Sequence, residues 1–156
     1  MAIALSTAGV TVQYAVETTS GTRPTTGYTT IPDLKSIPDF NPEPSNLETT
    51  PLSALEWRTY IAGLRDTGGA LQFTANHTEA FHTAWDTLVA AAESAKGDNK
   101  ATWFAVVIPG LANAFYFSGE PSALGLAAIE VDAVLEAQPY IMPTGVEGWN
   151  PKPTGV

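Results

Sequence analysis

The sequence predicts a mostly β protein: an antiparallel β-sandwich or partly closed barrel, with one flanking α-helix over about residues 77–96 and an extended loop arm. Several runs alternate apolar and polar residues with period two, which is typical of half-buried strands. Only one run has the spacing of an amphipathic helix. Strands follow one another without alternating with helices, which disfavours a parallel βαβ sheet.

Composition indicates a globular chain without catalytic thiols. The chain has 156 residues, of which 44% are apolar and 15% charged, and it contains no cysteine. This length is sufficient to bury a core without metal or disulfide support. The lack of cysteine excludes thiol catalysis and zinc sites built on cysteine. We expect one β-rich domain over residues 1–142 and an extended tail over residues 143–156.

Acidic side chains outnumber basic ones by 16 to 7, for a formal net charge of −9. Tight binding to nucleic-acid phosphates needs clustered Lys and Arg, so it is not expected here. The stretch between Lys100 and Lys152 has no base, and its acids are Glu120, Glu130, Asp132, Glu136 and Glu147. This one-signed charge either keeps the chain soluble or marks a functional surface.

The N-terminal region predicts one strand and one loop. Within residues 2–16, alternation places Val10, Val12, Tyr14 and Val16 on one side of a strand. Residues 18–30 are rich in Thr, Gly and Pro, which predicts a surface excursion without a core of its own.

Residues 31–64 predict an arm that is extended over its first part. Prolines at positions 32, 38, 42, 44 and 51 remove backbone donors and fix φ, which prevents a long regular strand. Isolated apolar residues along the arm need burial. Either the arm docks on a neighbouring element or molecule, or it packs as a long loop on its own domain. The candidate inter-subunit residues in the arm are Ile31, Leu34, Ile37, Phe40 and Leu47.

Alternation over residues 54–64 and 70–75, separated by the turn at residues 66–69, predicts a first hairpin. A second hairpin is predicted over residues 102–108 and 112–118. The first run is rich in β-branched and aromatic residues, and Pro109-Gly110 forms the turn between the two runs.

The predicted helix has a marked start and end. Asn76 followed by Glu79 resembles a capping box, and Lys96-Gly97 is typical of a helix end. Apolar side chains recur three and four positions apart. The residues expected to face the core are Phe81, Trp85 and Leu88.

The C-terminal region predicts a strand followed by an extended tail. Residues 129–138 alternate over their whole length, with Glu130, Asp132 and Glu136 on one face. From residue 139 onward, prolines and glycines predict a segment that reaches away from the domain. Trp149 in this segment has no evident core position and is a further candidate contact residue.

No motif predicts catalysis, a metal or a cofactor. His77 and His82 have a spacing that does not place two ligands on one helical face, and Asp86 is expected to form only a surface pair with His82. The sequence contains no nucleophile elbow and no phosphate-binding loop. Glu130 and Asp132, about 7 Å apart on an extended strand, match a glycosidase pair only in spacing. We therefore expect a protein that is not an enzyme.

No membrane insertion is expected, because the longest strongly apolar run, residues 103–108, is far shorter than the roughly 20 residues that span a bilayer. No basic segment precedes an apolar stretch at the N-terminus. Synthesis in the cytoplasm is therefore the expectation.

A succession of weak motifs runs along most of the chain: GVTVQYAVE (9–17) with the loop 21–28, IPDLKSIP (31–38), LETT (47–50), YIAGLRD (60–66) and WFAVVIPG (103–110). In content and order they resemble the major tail tube proteins of long-tailed, non-contractile bacteriophages and related prophages. None is a catalytic signature, so the resemblance rests on their succession.

The resemblance implies the phage tail tube fold and a structural subunit. Six copies close into a ring whose inner strands form one barrel, and stacked rings form the conduit for genome delivery. The arm and the tail are then expected to reach adjacent copies. The resemblance also implies a place in the virion tail after assembly in the host cytoplasm, with tape-measure, terminator and distal tail proteins as partners. DNA passes through the lumen without specific binding.

An acidic lumen would repel phosphate and let DNA slide. We therefore predict that Glu130, Asp132 and Glu136 line the lumen, the alternative being an outward, solvated face. Other functions stay open: the tube protein of a contractile tail or secretion system, a tail terminator, a hydrolase with paired acids, or a carbohydrate-binding β-domain that uses Trp57 or Trp149.

Overall fold

The computed structural model describes residues 4–66 and 68–154, so Ala2 of the predicted first strand, Thr67 of the predicted turn and the end of the predicted tail lie outside it. The chain divides into two compact units. We call them the body, up to Pro38 and from Ala70 onward, and the hairpin unit, Asp39–Gly69. The elements are β1 (Thr11–Val16), β2 (Thr29–Thr30), β3 (Leu34–Ser36), β4 (Pro44–Glu48), β5 (Tyr60–Arg65), β6 (Leu71–Gln72), β7 (Thr74–Asn76), α1 (Glu79–Gly97), β8 (Thr102–Val107), β9 (Asn113–Pro121), β10 (Glu136–Ala137) and β11 (Tyr140–Pro151).

The body is built on a six-stranded sheet in the order β2-β1-β8-β9-β11-β6, in which all neighbouring strands are antiparallel. A three-stranded sheet, β10-β7-β3, belongs to the same unit. Helix α1 packs against β1 and β9. This arrangement confirms the predicted mostly β, antiparallel fold with one flanking helix. The predicted second hairpin is also present, because β8 and β9 pair along their length.

Helix α1 is capped differently from the prediction. The N-cap is Thr78, whose Oγ1 accepts a hydrogen bond from the backbone N–H of Phe81 at 3.1 Å. Asn76 does not cap the helix because it ends strand β7. At the other end, the residue with left-handed backbone is Asn99, with φ of 57°. The residues predicted to face the core are buried: Phe81, Trp85 and Leu88.

The sheet has buried residues on both faces. Paired Phe104 and Phe117 point to one face, and paired Ala105 and Tyr116 point to the other. The second face is covered in part by Tyr28, whose ring meets that of Tyr116 edge-on at 6.0 Å. Burial is the main reason that the pKa of Tyr28 rises to about 12. The loop over residues 18–30, predicted as a surface excursion, therefore supplies a core residue.

An arginine holds this loop against the sheet. The guanidinium carbon of Arg23 lies 4.0 Å from the centroid of the Tyr116 ring, and its Nε lies 2.6 Å from Glu147 Oε2 on β11. A cation over an aromatic face and a partly buried ion pair both favour this position.

Glu17, directly after β1, is a second buried anchor. Its carboxylate accepts hydrogen bonds from Gly21 N (2.9 Å), Ala101 N (3.1 Å) and Trp103 Nε1 (2.8 Å). Burial raises the pKa of Glu17, but these three donors outweigh it, so the pKa is lowered. The carboxylate thus ties the loop after β1 to the start of β8.

We expect Glu17→Gln to lower the free energy of unfolding at pH 7 by about 1–3 kcal/mol, because an amide leaves part of this donor set unsatisfied. A lowered folded-state pKa stabilises the protein above the unfolded-state pKa, and this stabilisation is lost as the pH falls through the folded value. Urea unfolding at pH 7 and at successively lower pH should show the difference shrinking. Glu93→Gln, on the exposed face of α1, is the matched control. A deficit that does not vary with pH would contradict this account.

The strand predicted over residues 129–138 is wrong. Only Glu136 and Ala137 form a strand, and residues 122–135 form an irregular loop with a turn at Val131 and Asp132. Asp132 has φ of 56°, which interrupts an extended backbone. The segment is rich in alanine, which has low β propensity.

The predicted tail over residues 143–156 is also wrong, because the boundary at 142 falls inside β11. β11 pairs with β9 from Ile141↔Pro121 to Pro151↔Asn113. Register shifts between Pro143 and Gly145 and between Val146 and Gly148 accommodate residues that disfavour strands.

The first predicted hairpin is wrong in its pairing. β5 pairs with β4, inside the arm, and β6 pairs with β11. The prolines of the arm leave residues 44–48 free to form a short strand, with Pro44 at its first position.

Candidate functional site

The hairpin unit is a two-stranded antiparallel ribbon. β4 and β5 pair from Glu48↔Tyr60 to Pro44↔Arg65. Thr49 extends the ribbon with a backbone hydrogen bond to Thr59 O at 2.8 Å. A Cβ at Gly63 would clash with Ser45 Oγ and lie 3.2 Å from Ser45 O, so a larger residue there would require the Ser45 side chain to rotate and the facing strand to shift slightly. The ribbon is thus held together by backbone hydrogen bonds between β4 and β5.

No described residue of the hairpin unit is buried. Leu55 (95%), Trp57 (80%) and Leu64 (91%) are almost fully exposed. A two-stranded hairpin without a covered apolar face is marginally stable in water, and exposed apolar patches mark interaction sites. The exposed large apolar residues of the unit are Leu47, Leu52, Leu55, Trp57, Tyr60, Ile61 and Leu64.

The loop over residues 122–135 is the second exposed apolar surface, and we call it the body loop. Its backbone forms no regular element, and Val131 is 93% exposed. Its exposed large apolar residues are Leu126, Ile129, Val131, Val134 and Leu135. Loops of this length without regular structure are uncommon inside a compact unit, and binding segments are one of the main classes among them.

The three predicted lumen residues do not share one strand face. Glu130 and Asp132 are exposed on the body loop, whereas Glu136 lies in β10 and pairs with Lys35 Nζ at 3.0 Å. The strand on which their common orientation depended is absent. Their position in a lumen stays a prediction without that support.

The open edge of β11 is the third candidate surface. On the side away from β9, β11 pairs with β6 only at Tyr140 and Ile141, so residues 142–151 face no strand of the described chain. Trp149 is half-exposed on this strand, and its ring meets that of Phe115 edge-on at 5.5 Å. An open strand edge is a template for pairing with another chain.

The other residues predicted to contact a neighbouring copy are mostly less exposed. Ile31 is buried in the body, with its N–H bonded to Val12 O at 2.9 Å, so it is a core residue of its own chain. Leu34 and Ile37 in the body and Phe40 in the hairpin unit are half-buried. Leu47 alone among the predicted arm residues is largely exposed.

The residues with potential chemistry form surface contacts. His77 Nε2 lies 3.0 Å from His82 Nδ1 and the rings stack, which the spacing did not predict, because His77 precedes the helix. Asp86 Oδ2 lies 3.3 Å from His82 Nε2, the surface pair that was expected. Among the described residues no group of three or more ligands is arranged to hold a metal, and no helix there is long and apolar enough to cross a membrane.

Of the most exposed residues, the sequence singles out only Trp57, as a candidate sugar contact. Alternation places Leu55, Trp57 and Ile61 on one side of a predicted strand, and Ile129 and Val131 on one side of another. Alternation shows which residues share a face, but it does not show whether the chain itself covers that face. One sequence signal did indicate that β5 would be exposed. The proline-rich sequence before it can form little regular strand, so few strands of the same chain can pair with β5.

Comparison with known proteins places the fold. No model of a known protein family matches the chain, and no curated protein matches it significantly. The chain is similar in structure to a chain from the cryo-EM structure of the anti-feeding prophage baseplate, 6-fold symmetrised, with a TM-score of 0.60 and 7% sequence identity over 95% of this chain and 97% of that one. At this identity the likeness establishes a shared fold.

Proposed function

We propose that this protein is a structural subunit of a phage-type tail that polymerises into stacked hexameric rings, and that the rings form the tube through which the genome is delivered. The observation that carries the proposal is the hairpin unit, Asp39–Gly69, which contains the ribbon of β4 and β5 and has no buried residue among those described. Such a ribbon gains stability only by docking, and a polymer supplies the docking surface.

The fold supports the same proposal. A chain of similar fold occurs in a 6-fold symmetrised baseplate. The open edge of β11 and the body loop give each copy further surface for its neighbours.

A tube of this protein would conduct DNA without binding it. The net charge of −9 and the missing bases between Lys100 and Lys152 disfavour adhesion of phosphate to its walls. Glu130, Asp132 and Glu136 remain the predicted lumen residues. The tape-measure, terminator and distal tail proteins would be its partners in the virion.

Negative-stain microscopy of the concentrated, purified chain tests the proposal. We expect open-ended tubes of stacked rings with a central hole, and a concentration threshold below which tubes are absent. A monomer at all concentrations would overturn the proposal.

The second candidate is a ring or tube subunit of a baseplate, contractile tail or secretion system. The observation that favours it is that the structurally similar chain belongs to a baseplate. Discrete rings that do not stack would favour a baseplate or terminator subunit, and a sheath around the tube would indicate a contractile tail.

A carbohydrate-binding domain is the third candidate, because Trp57 and Trp149 are exposed. It predicts a monomer that is retained on a glycan column. Loss of retention in Trp57→Ala or Trp149→Ala, without polymerisation of the parent chain, would establish it.

A further inference from the structure

The body loop and the hairpin unit carry matching residue pairs. In the body loop, two acids each follow an exposed aliphatic residue, in Ile129-Glu130 and Val131-Asp132. In the hairpin unit, two arginines each follow an exposed apolar residue, in Trp57-Arg58 and Leu64-Arg65. Each segment thus has charged residues beside exposed apolar ones. In the body loop these charges are negative, and in the hairpin unit they are positive.

The two acids, Glu130 and Asp132, and the two arginines, Arg58 and Arg65, form no ion pair within the described part of the chain. Three other lysine and arginine residues of that part do form one. Arg23 pairs with Glu147, Lys35 with Glu136 and Lys96 with Glu120. The further bases without such a pair are Lys100 and Lys152, and no large exposed apolar residue adjoins either of them. Arg58 and Arg65 are therefore the free cations that lie within an exposed apolar surface.

The net charge makes this combination significant. Two copies that each carry −9 repel one another, so a stable contact between them needs local opposite charges as well as apolar area. The hairpin unit also contains five acids, Asp39, Glu43, Glu48, Glu56 and Asp66, so the attraction is confined to its two arginines.

We propose that the body loop of one copy docks on the hairpin unit of a second copy. The acids Glu130 and Asp132 are then attracted to the arginines of the hairpin unit, Arg58 and Arg65, and the apolar neighbours of these charges become buried. The inference rests on the proposed function, which requires contact between copies, and it adds the surface by which they meet. If this contact forms, Glu130 and Asp132 lie at an interface between copies, and Glu136 alone of the three predicted lumen residues keeps that prediction.

Two charge variants test the contact. The loop variant is Glu130→Lys with Asp132→Asn, since asparagine tolerates the left-handed backbone at position 132. The hairpin variant is Arg58→Glu with Arg65→Glu. The control matched to the loop variant is Glu93→Lys with Asp98→Asn, which makes the same change in charge as that variant at exposed positions on and beside α1. Circular dichroism and urea unfolding check that each variant is folded.

We expect each of the two variants to raise the concentration needed for tube formation about a hundredfold or more, because like charges now meet across a buried contact. The control should assemble as the parent chain does. Combining both changes in one chain should restore much of the assembly. If the loop variant assembles like the control, the inference is overturned while the proposed function stands. If the parent chain itself stays monomeric, both are overturned.

A mixture of the loop variant and the hairpin variant separates contacts between copies from contacts within one chain. Between copies, the changed loop of one chain meets the changed hairpin of the other, so alternating copies assemble. Within one chain, every copy keeps its own mismatch and mixing has no effect. Failure of the mixture to assemble, with the combined variant assembling, would overturn the contact between copies.

Discussion

Replacing Leu55, Trp57 and Leu64 together by serine is expected to leave a folded monomer that no longer forms tubes at concentrations where the parent chain does. All three side chains are almost fully exposed, so their removal takes little from the fold. Exposed substitutions away from special features change stability by about 0.5 kcal/mol or less.

The expected effect on assembly is much larger than the effect on stability. Burying one large apolar side chain contributes about 1.5–3 kcal/mol. Three of them at a subunit contact contribute at least about 4 kcal/mol, and each 1.4 kcal/mol corresponds to a tenfold change in affinity. The threshold concentration for tubes should therefore rise about a thousandfold or more.

Sedimentation velocity and negative-stain microscopy over a concentration series measure this threshold. Leu5→Ser, which removes another exposed apolar residue outside both surfaces, is the control and should assemble normally. Unchanged assembly of the triple variant would exclude the hairpin unit as a contact surface, and would remove the main observation for the proposed function.

The local parts of the fold were predictable because their signals are local. The 3.6-residue spacing of Phe81, Trp85 and Leu88 predicts the helix. The Pro109-Gly110 turn between two β-rich runs predicts the hairpin of β8 and β9, in which Gly110 has φ of 90°. In both cases the residues that determine the element lie within or beside it.

The errors have the opposite origin, because they concern elements that depend on distant partners. β11 contains Pro143, Gly145 and Gly148, yet it forms a long strand because β9 offers a partner and bulges absorb the misfits. Residues 129–135 alternate well, yet no described strand pairs with them. Strand formation reflects pairing and burial more than the pattern of one segment.

The contact of the arm with a neighbouring copy stays a prediction. The hairpin unit, which overlaps the arm, has exposed apolar area that such a contact would bury. Ile31, in contrast, is buried in its own chain. An apolar residue in a proline-rich segment needs burial, and the sequence does not show which chain provides it.

Trp85→Ala is expected to have the largest effect on the folded chain, lowering the free energy of unfolding by about 3–5 kcal/mol. Trp85 is 1% exposed, its ring stacks on Phe81 with centroids 5.9 Å apart, and its Nε1 donates a hydrogen bond to Ser122 O at 2.8 Å. Such a loss is a large share of the roughly 5–15 kcal/mol that stabilises a typical domain.

The hydrogen bond also joins the core to the body loop, which begins at Ser122. Trp85→Phe keeps most of the packing and removes this bond, so we expect it to cost about 1 kcal/mol in urea unfolding. Faster exchange of the Ser122 amide, which donates to Tyr140 O, should accompany it. The threshold for tubes should also rise, because a looser loop loses more entropy on docking. Equal costs for the two substitutions would show that the indole N–H, and not the buried ring, is the main contribution of Trp85. Unchanged exchange of the Ser122 amide would show that the bond from Trp85 does not hold this end of the body loop.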